Sequence, residues 1–330
     1  MKRQLWIAVG FLAVLSLAFL SSVPLKAAEP PSIEVGLPQD GLFGLGGQYI
    51  IDKKLDRKNG FVLKPRWAGM PEVQRLLGIQ ALSVGLMTPE ASLRANANGI
   101  PIRLIQPYQT SHMFVLVRKD SSYQSVDDLK GKAIALTPEV TTLYNLFDFI
   151  MRKRGVNIEK EFQLKKLGGP PPIIALMEKG EVEAGIIWEA HVSRLLATGK
   201  YRVLMGLRDE MAKVLNAKIL PVIWLAGLDP WVKANSEGVA KLRAAWTEAY
   251  IGVQRDEAHF RKNAKRFFGL EKPEELSTGW KRTKEFLLPA DFKWPDAPTL
   301  KVAQTWLREG VELGMFAKPS ADYIEVMFAP

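Results

Sequence analysis

Cysteine is missing from all 330 residues. Its absence excludes a disulfide framework, a thiolate metal site, a cysteine nucleophile and a lipidated cysteine behind an export signal. Histidine is almost as scarce: His112, His191 and His259 stand far apart without metal-ligand spacing, and no G-x-S-x-G elbow occurs. Packing or surface roles are the expectation for these histidines, with His112 the one to watch because it falls between two predicted strands. No low-complexity tract and no short-period repeat is found. The glycine cluster GLFGLGG at 41–47 fails as a dinucleotide loop, since the sixth position after Gly44 and Gly46 is Tyr49 and no phosphate-loop lysine follows. A turn of close backbone approach, lining a crevice, is its expected use.

What is present begins with Lys2 and Arg3 ahead of an apolar run from Leu5 to Leu20, then Ser21, Ser22, Pro24 and the small residues Ala27 and Ala28. These are the three regions of a cleaved export signal over residues 1–28, and the run is short of the roughly 20 residues that span a bilayer. With no cysteine to carry a lipid, a bacterial periplasm is the expected compartment. The formal charge of the whole chain is +10; without Lys2, Arg3 and Lys26 it becomes +7, modest for some 300 residues. Basic groups such as RKR at 152–154 and RKNAKR at 261–266 lie on helical stretches and read as solvated faces, not as nucleic-acid contacts.

From Ile33 onward short apolar runs alternate with helical periodicity: IEVGL, QYIIDKKLDRK, FVLKPRW, PEVQRLLG, ALSVGLM. Such alternation predicts an α/β fold with mainly parallel sheets, and the length predicts two lobes. IRLIQPY, MFVLVRK, AIAL, VEAGII and PVIWLAG continue the strands, and long amphipathic helices fill the last third. Thr137, Pro138 and Glu139 have the order of a cap, a first helical position and a first-turn acid, so a helix is predicted from Thr137 to Gly155.

Ligands of open α/β sheets sit beyond the carboxyl ends of the strands. Trp188 and Glu189 end the run after VEAGII, Met87 and Thr88 end a similar unit, and Trp67 ends FVLKPRW. Phe43, Met70 and these aromatic and thioether residues would wall an apolar site with a few polar groups. The helix start near Thr137 favours an anion by its free amides, but Glu139 and Glu189 oppose a strongly anionic solute.

Three segments then carry a resemblance: SVDDLKGKAIAL at 125–136, ALMEKGEVEAGIIWEAH at 175–191 and GVELGMFAKPSADYIEVMF at 310–328. They resemble the periplasmic solute-binding proteins of ABC importers of the sulfonate, nitrate, taurine and thiamine-precursor type. The resemblance implies a type II periplasmic binding fold with a ligand cleft between two lobes, 32–111 plus 222–330 and 112–221, crossing near Ser111 and Pro221. Carried onto matching positions, the ligand contacts it implies are Asp40, Leu42, Phe43, Trp67, Gly69, Met87, Thr88, Thr137, Glu139, Thr141, Thr142, Trp188 and Glu189, with Ser111 and His112 at the crossing. Ser83 and Ala190 depart from the family pattern, which leaves the ligand open. The implied function is capture of a small organic solute by hinge closure and delivery to an ABC permease and its ATPase, by a monomer without cofactor or metal. A ligand-sensing receptor subunit is the second reading. A thiamine-pyrimidine-synthase-like enzyme is a third, against which the missing cysteines count.

Overall fold

The computed structural model describes residues 29–329; the expected export signal lies outside them. Among the described residues ten strands form, β1 (Ser32–Pro38), β2 (Val62–Ala68), β3 (Val84–Met87), β4 (Ile102–Thr110), β5 (Met113–Arg118), β6 (Ala133–Leu136), β7 (Gln163–Lys166), β8 (Ala184–Trp188), β9 (Tyr201–Gly206) and β10 (Pro221–Leu228). β1 pairs with β2, β10 runs between β3 and β4, and the other five form a sheet in the order β7-β6-β8-β5-β9. The five-stranded sheet is mixed, with parallel pairing in β6-β7 and β6-β8; β1-β2 is parallel and the three-stranded sheet is antiparallel throughout. β5 and β10 run against their neighbours.

Register explains where the strand ends gather. Met113, the first residue of β5, faces Trp188, the last of β8, and β6 is parallel to β8. Thr137, Glu189 and His112 therefore leave the five-stranded sheet along one edge. In the other sheet Trp224 of β10 faces Met87 of β3, and Pro221 faces Thr110 of β4. Thr88, Gln109 and Pro221 thus share an edge too. The chain passes between the sheets at Ser111–His112 and again just before Pro221, so both edges are turned toward the same pair of connections.

The sequence reading missed β7 and β9. These are the two edges of their sheet, and an edge strand such as QLKK, mostly exposed, carries no apolar run to announce it. Two local expectations also change. GLFGLGG is the start of a helix, Gly41–Asp52, not a turn. The close approach itself is present: a Cβ on Gly46 would lie 2.1 Å from the Tyr108 hydroxyl, and one on Gly47 2.5 Å from Leu37. The glycines let a helix lie flat on the sheet. The helix expected from Thr137 starts at Thr142, with Thr141 as its cap accepting from the Tyr144 amide at 3.3 Å. Thr137 supports that cap, its hydroxyl 2.7 Å from the Thr141 hydroxyl. Pro138 starts a turn, with the Thr141 amide donating to its carbonyl at 3.0 Å.

The core takes Trp224, Trp246 and Trp306 completely. Trp224 stands edge-on to Trp294 at 4.9 Å and to Phe328 at 5.3 Å, so the end of the chain is part of the core. Ala329 donates its amide to Leu104 at 2.9 Å, and the Arg243 guanidinium caps the Ala329 carbonyl at 2.8 Å. The helix Pro273–Phe286 packs on the helix Glu257–Phe268 at one side and on His191–Ala197, which follows β8, at the other.

Candidate functional site

Two polar clusters join the strand edges. In the first, Thr88 is buried at the end of β3 and donates its hydroxyl to Glu90 Oε1 at 2.8 Å. Glu90 opens the helix Pro89–Ala97 and is only 3% exposed. The same Oε1 accepts from the Thr142 hydroxyl, at the start of the helix that follows β6. Nearby, Arg94 reaches the Val140 carbonyl at 3.3 Å. Burial holds the Glu90 carboxyl above the usual carboxylate range, partly offset by the two threonine hydroxyls. Its Oε2 has no partner.

The second cluster surrounds Glu189, buried just beyond β8. Its Oε2 accepts from the Ser193 amide at 3.1 Å and hydroxyl at 2.6 Å, in the first turn of the helix that follows. Its Oε1 pairs with Arg282 of the straddling helix Pro273–Phe286. The Arg282 guanidinium lies 4.7 Å from the centre of the Phe114 ring and 5.8 Å from that of Phe286. His112, half-buried, takes 2.8 Å contact from the Gln109 amide to Nδ1, and its ring is 6.4 Å from Phe286. Burial pushes His112 down to about 4, so the imidazole is neutral at pH 7. His191 is also lowered to about 4, by burial and by Arg194, and stands edge-on to Trp188 at 6.3 Å. Trp188 keeps an exposed part and lies beside Gly169, where a Cβ would stand 3.9 Å from the indole, at ordinary van der Waals distance.

Among the expected site residues, Thr88, Thr142, Thr141, Thr137, His112, Trp188 and Glu189 gather along the two facing edges. The others are elsewhere. Phe43 sits in the core against Tyr108 at 5.0 Å and Trp246 at 6.0 Å, and Leu42 and Met87 are buried with it. Asp40 is exposed ahead of the helix Gly41–Asp52. Trp67, at the end of β2, already carries the Arg266 guanidinium 4.7 Å over its ring, beside Phe267. Gly69 is exposed at the start of the helix Met70–Gly78, with Met70 half-buried next to it. Glu139 points outward, paired with Lys166, which holds its carboxyl below the usual range. Ser111 lines a cavity of about 50 Å³ between Arg208, Met211, Ile219 and Val222, and its hydroxyl is unpartnered there. That cavity lies at the crossing between the sheets.

Glu90 and Arg282 were not foreseen. Glu90 follows Pro89 as an ordinary first-turn acid, and Arg282 stands in the charged stretch KRTKEF, where a solvated face is the default reading. The basic groups at 152–154 and 261–266 do form surface pairs, among them Lys153 with Glu309 at 3.1 Å and Arg261 with Glu257 at 2.7 Å.

Two sheets whose strand ends face each other across a double crossing define a two-lobed periplasmic binding fold, and solved structures of that class superimpose on the chain. The periplasmic aliphatic sulphonate binding protein SsuA from Escherichia coli does so with a TM-score of 0.74 at 19% identity, covering 91% of this chain and 92% of its own. The alkanesulfonate-binding protein SsuA from Xanthomonas axonopodis pv. citri, bound to MOPS, gives 0.70 at 19% identity, with 92% and 99% covered. The periplasmic nitrate-binding protein NrtA from Synechocystis PCC 6803 gives 0.63 at 14% identity, with 91% and 85% covered. No curated protein sequence matches the chain. Residues 53–219 match the family model of the ABC transporter, phosphonate, periplasmic substrate-binding protein, and the chain belongs to that family. It is a substrate-binding protein of an ABC importer, of a periplasmic family. Among the described residues no helix is long and apolar enough to cross a membrane.

Proposed function

We propose that this protein captures a small organic solute between its lobes, 32–111 plus 222–330 and 112–221, closes over it by rotation at Ser111 and Pro221, and presents the closed form to a membrane permease and its ATPase. The observation that carries this reading is the pair of buried contacts between the facing strand edges, Thr142 to Glu90 and Arg282 to Glu189. Polar side chains that meet across two edges can stay buried only while the edges are together, so each contact favours the closed arrangement. Trp188 supplies an apolar wall, and Thr88, Thr141, His112 and Glu189 supply orienting groups around it. A micromolar affinity needs only about 8 kcal/mol, within reach of one aromatic stack, a few hydrogen bonds and an excluded-water cleft. The solute binds as it is and leaves unchanged, in a monomer that uses no cofactor.

The test is native mass spectrometry of the mature protein purified from a rich medium, followed by a thermal-shift screen of sulfonates, phosphonates, carboxylates, pyrimidines and amines. A co-purifying small mass that raises the melting temperature is expected, since a ligand at 100 times its dissociation constant adds about 2.7 kcal/mol. The absence of both, no co-purifying mass and no shift with any compound, would overturn solute capture.

A further inference from the structure

The two buried carboxylates between the strand edges are not equivalent. Glu189 has a cation, Arg282, and two donors from Ser193. Glu90 has two hydroxyl donors, Thr88 and Thr142, both on Oε1, while Oε2 is buried and has no partner. Hydroxyls converging on one oxygen are the setting of a carboxylate that accepts, and a buried acceptor left empty is costly. The nearest cation on its own helix is Arg94, whose guanidinium is turned to the Val140 carbonyl. Nothing supplied by Thr88, Thr142 or Arg94 fills Oε2.

We propose that Glu90 is the specificity-determining residue of the cleft, and that the solute carries a cationic nitrogen, an ammonium or an amidinium, whose N–H groups complete Glu90 Oε2. The proposal rests on the binding reading above and names the chemistry that the site selects. Glu90 lies where the threonine at the end of β3 and the threonine at the start of the facing helix meet, so a solute held there is in contact with both edges as they close. The positive nitrogen does for Glu90 what Arg282 does for Glu189. Burial raises the Glu90 carboxyl, with Arg94 only the smallest of the contributions that lower it, and a cationic nitrogen on Oε2 relieves that penalty.

The experiment compares matched probes on one carbon skeleton: 2-phenylethylamine, 2-phenylethanol and 2-phenylethanesulfonate, with the corresponding butyl series, followed by thermal shift and calorimetry on the wild type and Glu90→Gln. The expected result is a shift with the amines exceeding that with the alcohols and sulfonates. Glu90→Gln should lose amine affinity by on the order of a hundredfold, with an unaltered circular dichroism spectrum. Thr142→Val, which leaves Oε2 in place, should keep the preference for amines. A shift confined to sulfonates or alcohols, or Glu90→Gln binding amines as well as the wild type does, overturns this proposal and leaves solute capture standing. If Glu90→Gln fails to fold, the ranking of the three probe classes on the wild type and Thr142→Val decides. No shift with any probe, together with no co-purified mass, overturns both.

Discussion

Removing the Arg282 side chain, as Arg282→Met, leaves the buried Glu189 without its cation. The Arg282 side chain is 17% exposed and that of Glu189 6%, so water reaches neither freely. Breaking a buried pair by deleting one partner costs about 3–5 kcal/mol. Two donors from Ser193 remain on Oε2, which places the expected cost near the lower figure, about 3 kcal/mol. The loss of the guanidinium over Phe114 adds about 1 kcal/mol, and the methionine returns part of that by packing on the ring. Glu189→Gln in the same background removes the stranded charge, so the double variant should recover most of the stability. A double-mutant cycle by urea unfolding reads the coupling, expected at about 2 kcal/mol or more. Because the pair spans the two strand edges, Glu189 in the single variant can also be hydrated by the edges moving apart, which small-angle scattering would record as a larger radius of gyration. Additive single effects, with stability and radius both as in the wild type, would refute the view that this pair holds the edges together.

Acid should weaken the fold through two histidines. His112 and His191 are lowered to about 4 from an ordinary value near 6.5, so the unfolded chain binds more protons between those values. Stability is then full above about pH 6.5 and declines as pH falls toward 4. Both rings are half-buried, and solvent screening keeps the combined loss to about 2–4 kcal/mol; a double His→Gln variant should flatten the melting temperature over that range. Trp188→Ala should weaken solute binding by about tenfold to a hundredfold with little change in melting temperature, and unchanged affinity would remove the stacking role. Gly46→Ala forces a methyl group against the Tyr108 hydroxyl and should cost about 1–3 kcal/mol in chemical denaturation.

The strands that form sheet interiors were legible because they are continuous apolar runs between turn signals: AIAL, VEAGII and PVIWLAG all lie where the pattern puts them. Edge strands β7 and β9 were not, since half their side chains face water. The site was legible at residues marked by position, such as Thr88 and Glu189 at strand ends. It was illegible where position misleads. Phe43 follows the first strand as a cleft residue would, yet the glycines beside it let its helix sink against the sheet and carry the ring into the core. Trp67 ends a strand but is already stacked under Arg266, about two hundred positions further along the chain. Arg282 and Glu90 depend on a partner more than 50 positions distant, and no short-range pattern records such a pairing.

The pinned end of the chain decides how the protein can be handled. Met327, Phe328 and Ala329 are buried, and Ala329 is hydrogen-bonded to Leu104 and Arg243. An affinity tag or fluorophore fused on the C-terminal side would follow closely on Met327–Ala329, which are locked into the hydrophobic interior, while Glu29, ahead of β1, is exposed. A reporter joined ahead of Glu29 leaves the last turn seated, and one joined at the other end competes with it.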